Sequence, residues 1–331
     1  IFPRIASPIT VSNILVPISP VSYRAKLTIS SGRCRIKNVL STSNMDPITK
    51  NSPHLSIADL LAISPKTLSK AGIASARLDS ELILAHVLRR SREWLLAHDA
   101  VALTQPQQQQ ARQLLLQRTQ RQPIAYLTGR RDFYGHSFQV NEQVLVPRPE
   151  SEVILAILDE LAQDNHLRTV LDVGTGSGCL AISIKLAHPD LAVSACDISE
   201  SALLVARRNA ARLLPSGQQI KFYQSDLLSD LPVNSRFDLI VANLPYLSPG
   251  QDGLSPELAY EPAIALYAGD DGLSLIKQLI ATAPARLTPG GYLLLEMNTD
   301  QIETVASYAT GYRYQVVKQE PFHLLMRLPV N

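Results

Sequence analysis

A mostly apolar run, Thr169-Val170-Leu171-Asp172-Val173, breaks directly into Gly174-Thr175-Gly176-Ser177-Gly178, and a helical pattern follows. A buried strand that turns at once into a helix leaves little choice of architecture. The glycines let the backbone turn sharply and approach a ligand where a Cβ would collide. The helix start offers free N–H groups beside them. Beyond this point the alternation repeats. Strands are predicted at 169–173, 191–196, 219–223, 237–242 and 291–297, with helices between them, including 199–214 and 271–287. Such βα repeats predict an α/β fold with a parallel sheet covered on both faces. Two last runs, 314–318 and 323–328, predict a closing antiparallel strand pair.

The remainder divides by pattern. Residues 1–52 are predicted to be a disordered extension. No acidic residue precedes Asp46, while Arg4, Arg24, Lys26, Arg33, Arg35 and Lys37 are basic. That composition resembles an organelle transit peptide. The initial Ile, and a plausible start at Met45, favour an upstream extension instead. Residues 53–122 read as an all-α domain, with apolar faces at Ile57, Leu60, Leu61 and Ile63, then at Leu78, Leu82, Ile83, Ala85 and Leu88. A Gln-rich helix starts near Pro106. Its Arg112, Arg118 and Arg121 are expected on a solvated face, with a basic docking face as the alternative. Residues 123–145 are expected to form a β-hairpin linker, and residues 146–331 the catalytic domain.

The formal charge of +2 gives no support for a large nucleic-acid face. No apolar run reaches the length of a membrane span. Cys34, Cys179 and Cys196 lie far apart and form no metal spacing, and the seven histidines do not cluster. Buried free thiols in a reducing, cytoplasmic setting, a monomer and no metal are the expectations.

Two positions carry chemistry. Asp197, about 20 residues beyond the glycine loop, ends the second strand, where a carboxylate can accept ribose hydroxyls. Asn243-Leu244-Pro245-Tyr246 follows the strand 237–242. A neutral amide, turn carbonyls and an aromatic ring at a strand end suit a planar NH2 group. A turn former that caps the strand is the plain alternative for Asn243.

The D-x-G-x-G-x-G form of residues 172–178 resembles motif I of class I S-adenosylmethionine-dependent methyltransferases. The resemblance implies a doubly wound, seven-stranded sheet with a terminal antiparallel hairpin. It implies cofactor contacts at Gly174, Thr175, Gly176, Ser177, Gly178, Asp197, Leu227 and Asn243. An ordinary core position is the alternative for Leu227. The Asn-x-Pro-Tyr turn is similar to that of enzymes that methylate planar amino or amide nitrogens.

The helical domain, Tyr126-x-x-Gly129, Val146-Pro147-Arg148-Pro149-Glu150-Ser151-Glu152, the glycine loop, the Asn243 turn and Glu261-Pro262 together resemble the HemK/PrmC family. That resemblance, from about Ser56 onward, implies N5-methylation of the glutamine in the Gly-Gly-Gln loop of class I release factors. Asn243, Leu244, Pro245 and Tyr246 are then the catalytic and substrate-binding residues. Leu244 departs from the family's Asn-Pro-Pro-Tyr and removes a φ restriction. Asn-Leu-Pro-Tyr also resembles ribosomal RNA adenine dimethyltransferases, whose helical domain follows the catalytic one rather than preceding it. A ribosomal-protein glutamine methyltransferase and an RNA or DNA adenine methyltransferase are the alternative functions. Arg148 and Glu150 are candidates to orient the interdomain junction or the incoming loop, with a structural ion pair as the alternative. The same choice stays open for Glu296 at the end of the fifth strand.

Overall fold

The computed structural model describes residues 29–30, 33–34, 55–163 and 167–330. The chain divides into two units, 1–49 and 50–331. Within the first, β1 (Ile29–Ser30) and β2 (Arg33–Cys34) pair antiparallel. The disorder expected over residues 1–52 otherwise lies outside the described residues.

The second unit opens with helices α1 (Ile57–Lys70), α2 (Ala76–Leu88), α3 (Arg92–Ala97), α4 (Gln105–Thr119) and α5 (Ile124–Thr128). Ser56 and Asp59 form a capping box at the start of α1, each side chain accepting the other's backbone N–H. The face of α2 differs from the apolar pattern. Leu78 is 40% exposed, whereas Asp79, Ser80 and Glu81 are buried beside Ile83, Leu84 and Val87. Partners pull these carboxylates inward. Asp79 takes Arg118 at 2.7 Å, and Glu81 takes Arg77 and Arg92.

Arg118 is therefore not on a solvated face. It is 5% exposed, and with Arg121 it also holds Glu257, in the 3-10 turn 256–260 that follows the Asn243 turn. Burial raises the Glu257 carboxyl, but hydrogen bonds from Ser255, Arg118 and Arg121 outweigh it and bring it to about 2.

The expected hairpin begins later than predicted. α5 occupies its first residues, and only β3 (Arg130–Phe133) and β4 (His136–Gln139) pair. Phe133 and Phe138 meet edge-to-face and are buried among the sheet's core residues, so the hairpin packs as part of that core.

Next come α6 (Glu152–Ala162), β5 (Thr169–Val173), α7 (Cys179–Ala187), β6 (Ala192–Asp197), α8 (Glu200–Leu213), β7 (Lys221–Gln224) and β8 (Phe237–Ala242). The chain closes with α9 (Ser274–Thr282), β9 (Leu287–Glu296), α10 (Ile302–Thr310), β10 (Gln315–Glu320) and β11 (His323–Arg327). α9 is shorter than predicted because Pro284 cannot continue it; a 3-10 turn intervenes, and β9 starts four residues early, at Leu287.

The seven strands run in the order β10-β11-β9-β8-β5-β6-β7. β5 through β9 are parallel, and β11 is antiparallel to both its neighbours. From β5 the chain steps to β6 on one side and later returns to β8 on the other. Strand order reverses at β5, which opens a crevice at the strand ends there. Val173 pairs with Cys196 and with Ala242, so residues 174, 197 and 243 stand at one level at the strand ends.

Candidate active site

The glycine loop is the first wall of this crevice. Gly174 N–H and Thr175 N–H both donate to the Cys196 carbonyl, at 2.9 and 3.0 Å. Asp172, 1% exposed beneath the loop, accepts from Thr175 Oγ1 at 2.6 Å and from Ala181 N–H. Burial pushes its carboxyl up to about 6. Asn209 of α8, fully buried, donates to the Ser177 and Gln139 carbonyls and accepts from Gln139 N–H, so it ties the loop to the hairpin. Gly178 adopts φ +80°, and a Cβ there would press to 3.1 Å on Ala206. At Gly176 the same test meets open space. The loop is tight below and open above.

Asp197 accepts Gly176 N–H and Ser199 N–H, one on each oxygen, both at 2.9 Å. Each oxygen keeps a further lone pair. Burial pushes this carboxyl upward as well. Ile198 and Leu227 complete the apolar part of the wall. Leu227 is buried and held at φ +49°, a conformation rare for a bulky residue.

The Asn243 turn is the opposite wall. Asn243 Nδ2 donates to Ser151 Oγ at 2.9 Å and to Glu296 Oε1 at 2.8 Å. A carboxylate can only accept, so the amide nitrogen must face Glu296. Both N–H bonds are thereby used, and Oδ1 points the other way. Leu244 is buried, and its Cδ2 reaches the glycine loop at Gly174. Its carbonyl accepts no hydrogen bond among the described residues. Gln301 donates to the Tyr246 carbonyl at 3.0 Å. Gly272 lies so close that a Cβ would fall 2.3 Å from that carbonyl oxygen. Burial, then the nearby Glu296 charge, push the Tyr246 phenol up to about 12. Arg148 pairs with buried Glu261 at 2.6 Å, which also accepts Val146 N–H. That is a junction between the 146–151 stretch and the wall after the turn. Glu150 is exposed.

Gly174, Thr175, Gly176, Ser177, Asp197, Leu227, Asn243, Leu244 and Pro245 line one cleft. Gly178 instead caps α7. Tyr246 lines a second cleft that shares Asn243, Leu244, Pro245 and Arg148 with the first. Asn243 thus stands where the two clefts meet. Ser151, Asn209, Gly272, Glu296 and Gln301 are missing from the expected set. Only Ser151 lay in a motif, the Pro-Arg-Pro-Glu-Ser-Glu stretch. Cys196 is buried; Cys179 lines the first cleft, and burial pushes its thiol up to about 12. No cluster of metal-ligating side chains occurs among the described residues.

A parallel sheet with a reversed terminal hairpin, a glycine loop and a strand-end carboxylate defines the class I methyltransferase fold. Family models agree: the "PrmC N-terminal domain" matches residues 59–129 and the "Methyltransferase small domain" residues 150–257. The release factor glutamine methyltransferase of Bordetella pertussis is 40% identical over 228 residues, covering 69% of this chain and 83% of that one. Its namesakes in Leptospira interrogans and Deinococcus radiodurans are 38% and 39% identical over 255 residues, covering 76% of this chain and 89% and 90% of theirs. This chain belongs to the release factor glutamine methyltransferase family.

Proposed function

We propose that the chain transfers a methyl group from S-adenosylmethionine to the side-chain N5 of the glutamine in the Gly-Gly-Gln motif of class I release factors. The orientation of the Asn243 amide carries this reading. With both its hydrogens committed to Ser151 and Glu296, the amide offers only an acceptor at the junction of the clefts. A substrate NH2 needs acceptors, and the Leu244 carbonyl supplies a second.

The first cleft fits the cofactor. Gly176 leaves open space above the loop, Asp197 keeps lone pairs for ribose hydroxyls, and Asp197 together with the buried Asp172 favours a cation. Gly174, Thr175, Gly176, Ser177, Asp197 and Leu227 would hold it. When bound, it supplies an electrophilic methyl on a sulfonium, whose leaving group departs neutral.

The protein's task lies with the acceptor, because an amide nitrogen's lone pair is delocalised into its carbonyl. Asn243 Oδ1 and the Leu244 carbonyl accept the two N–H bonds, aim the nitrogen and stabilise positive charge as it develops. Asn does so without bringing a further buried charge. Tyr246, neutral through the physiological range, covers the flat face of the amide, and Pro245 stiffens the turn. No strong general base is needed, because an alkylated amide nitrogen loses its proton readily. The reading places the reaction in the cytoplasm; no described helix is long and apolar enough to cross a membrane.

Incubation with labelled S-adenosylmethionine tests this, with release factor, ribosomal protein and RNA offered separately and the methyl located by mass spectrometry. Label on the release-factor glutamine is expected. Label on RNA adenine, with none on glutamine, would overturn the reading.

A further inference from the structure

Behind Asn243 lies a buried pair that does not itself touch the substrate in the reading above. Glu296 is 2% and His323 1% exposed, and they face each other across the antiparallel β9–β11 pairing. His323 Nδ1 lies 2.9 Å from the Pro321 carbonyl, which can only accept, so this nitrogen carries a hydrogen. Nε2 is left facing Glu296 Oε2 at 3.5 Å, and neither atom has a hydrogen-bond partner among the described residues. The other carboxylate oxygen, Oε1, receives the Asn243 amide.

We propose that Ser151 and Glu296, backed by His323, are positioning residues that fix which end of the Asn243 amide meets the substrate. The inference rests on the reading that Asn243 Oδ1 accepts a substrate N–H. An Asn amide fits its own space almost equally well in either orientation. The wrong one would aim two donors at an acceptor group that is itself an NH2. Here the wrong orientation sets Oδ1 against the Glu296 carboxylate and forfeits that bond. The Ser151 hydroxyl, which can donate as well as accept, holds the amide in place while Glu296 selects its orientation. The clamp therefore removes the unproductive orientation before substrate arrives, and the buried His323 ring fills the space behind the carboxylate, 3.5 Å from Oε2.

The test uses the full chain with Glu296→Ala, Glu296→Gln and Ser151→Ala. Gln can still present a carbonyl oxygen to Asn243, so orientation survives while the charge is lost. Glu296→Ala is expected to lower kcat by roughly 10–100-fold, less than loss of Asn243 itself, with KM for S-adenosylmethionine unchanged. Glu296→Gln is expected to restore most of kcat. Ser151→Ala, which leaves the Glu–His pair intact, is expected to lose kcat by a smaller factor and keeps the test open should Glu296→Ala not fold. Hydrogen exchange of the Asn243 side-chain amide, followed by NMR in protein without substrate, should quicken in both Ala variants and not in Glu296→Gln. That arm reads the clamp even if the release-factor reading fails. Equal impairment of the Gln and Ala variants at position 296 would overturn the proposal, as would unchanged amide exchange in folded Glu296→Ala or Ser151→Ala.

Discussion

The glycine loop and the Asn243 turn face each other across one crevice, but they are built at different ranges. The side-chain bonds that hold the loop come from Asp172, Asp197 and Asn209, between 3 and 32 residues away. Those that hold the turn come from Ser151, Glu296 and Gln301, between 53 and 92 residues away. The loop is assembled once β5, β6 and their two helices have formed. The turn needs β9 and the stretch that opens the catalytic domain as well. The loop is thus a local device, while the turn is a product of the finished fold.

Four substitutions press on this contrast, in descending order of expected effect. Asn243→Ala removes the side-chain acceptor of the proposed reaction and is expected to lower turnover by about 10²–10³, with cofactor affinity by calorimetry little changed. Lost cofactor binding would mean that the two walls are not separable.

Asp172→Asn tests the local wall through pH. In the fold the Asp172 carboxyl titrates at about 6 against an ordinary 3.8, a gap worth about 3 kcal/mol. The fold holds this proton more tightly than the unfolded chain. Its contribution is therefore full below pH 3.8 and lost as pH rises through about 6. Asn keeps an oxygen for Thr175 and Ala181 without the charge. Urea midpoints for the variant should lose the Asp172 part of that decline and rise at neutral pH. An unchanged pH profile would show that Asp172 is not a buried charge in solution.

Gly272→Ala puts a Cβ against the Tyr246 carbonyl and forces a left-handed alanine. About 1–3 kcal/mol of strain is expected to appear as roughly a 10–100-fold loss of kcat, again with cofactor affinity kept. Gly178→Ala does the converse at the local wall. A left-handed alanine costs about 1–2 kcal/mol, so cofactor Kd should weaken about tenfold while the exchange behaviour of the Asn243 amide stays as it was.

The same difference in range decided what could be read from the sequence. The α/β class and the sheet strands announce themselves in apolar runs punctuated by glycine. Gly174–Gly178 and Asp197 are legible because their partners are near in the chain and strand ends set the spacing. Asn243–Tyr246 is legible as a motif, yet the partners that orient it are not. Ser151 reads as one serine in a polar stretch, Glu296 as the end of a strand, and Asn209 as one more helical residue. The face of α2 was misread for a related reason. Apolar periodicity cannot anticipate that Asp79 will be drawn inward by Arg118, 39 residues on. Leu244, legible only as a missing proline, gains a contact that its sequence position does not declare.

One feature of the turn bears on how this family can vary. The segment between Tyr246 and α9 is tied at its neck: Leu247 N–H donates to the Leu266 carbonyl, Ala268 N–H donates to the Leu247 carbonyl, and Gly272 rests against Tyr246. The segment 248–265 is then an excursion from a closed stem, and it supplies much of the second cleft's wall. Glu257 pins its second half to Arg118 and Arg121, and Glu261 just beyond it is tied to Arg148. Lengthening its unpinned first part, 248–255, costs only logarithmically in closure entropy, about 0.6 kcal/mol per doubling. That part of the outer wall can therefore be redrawn while the Asn243 turn stays where it is.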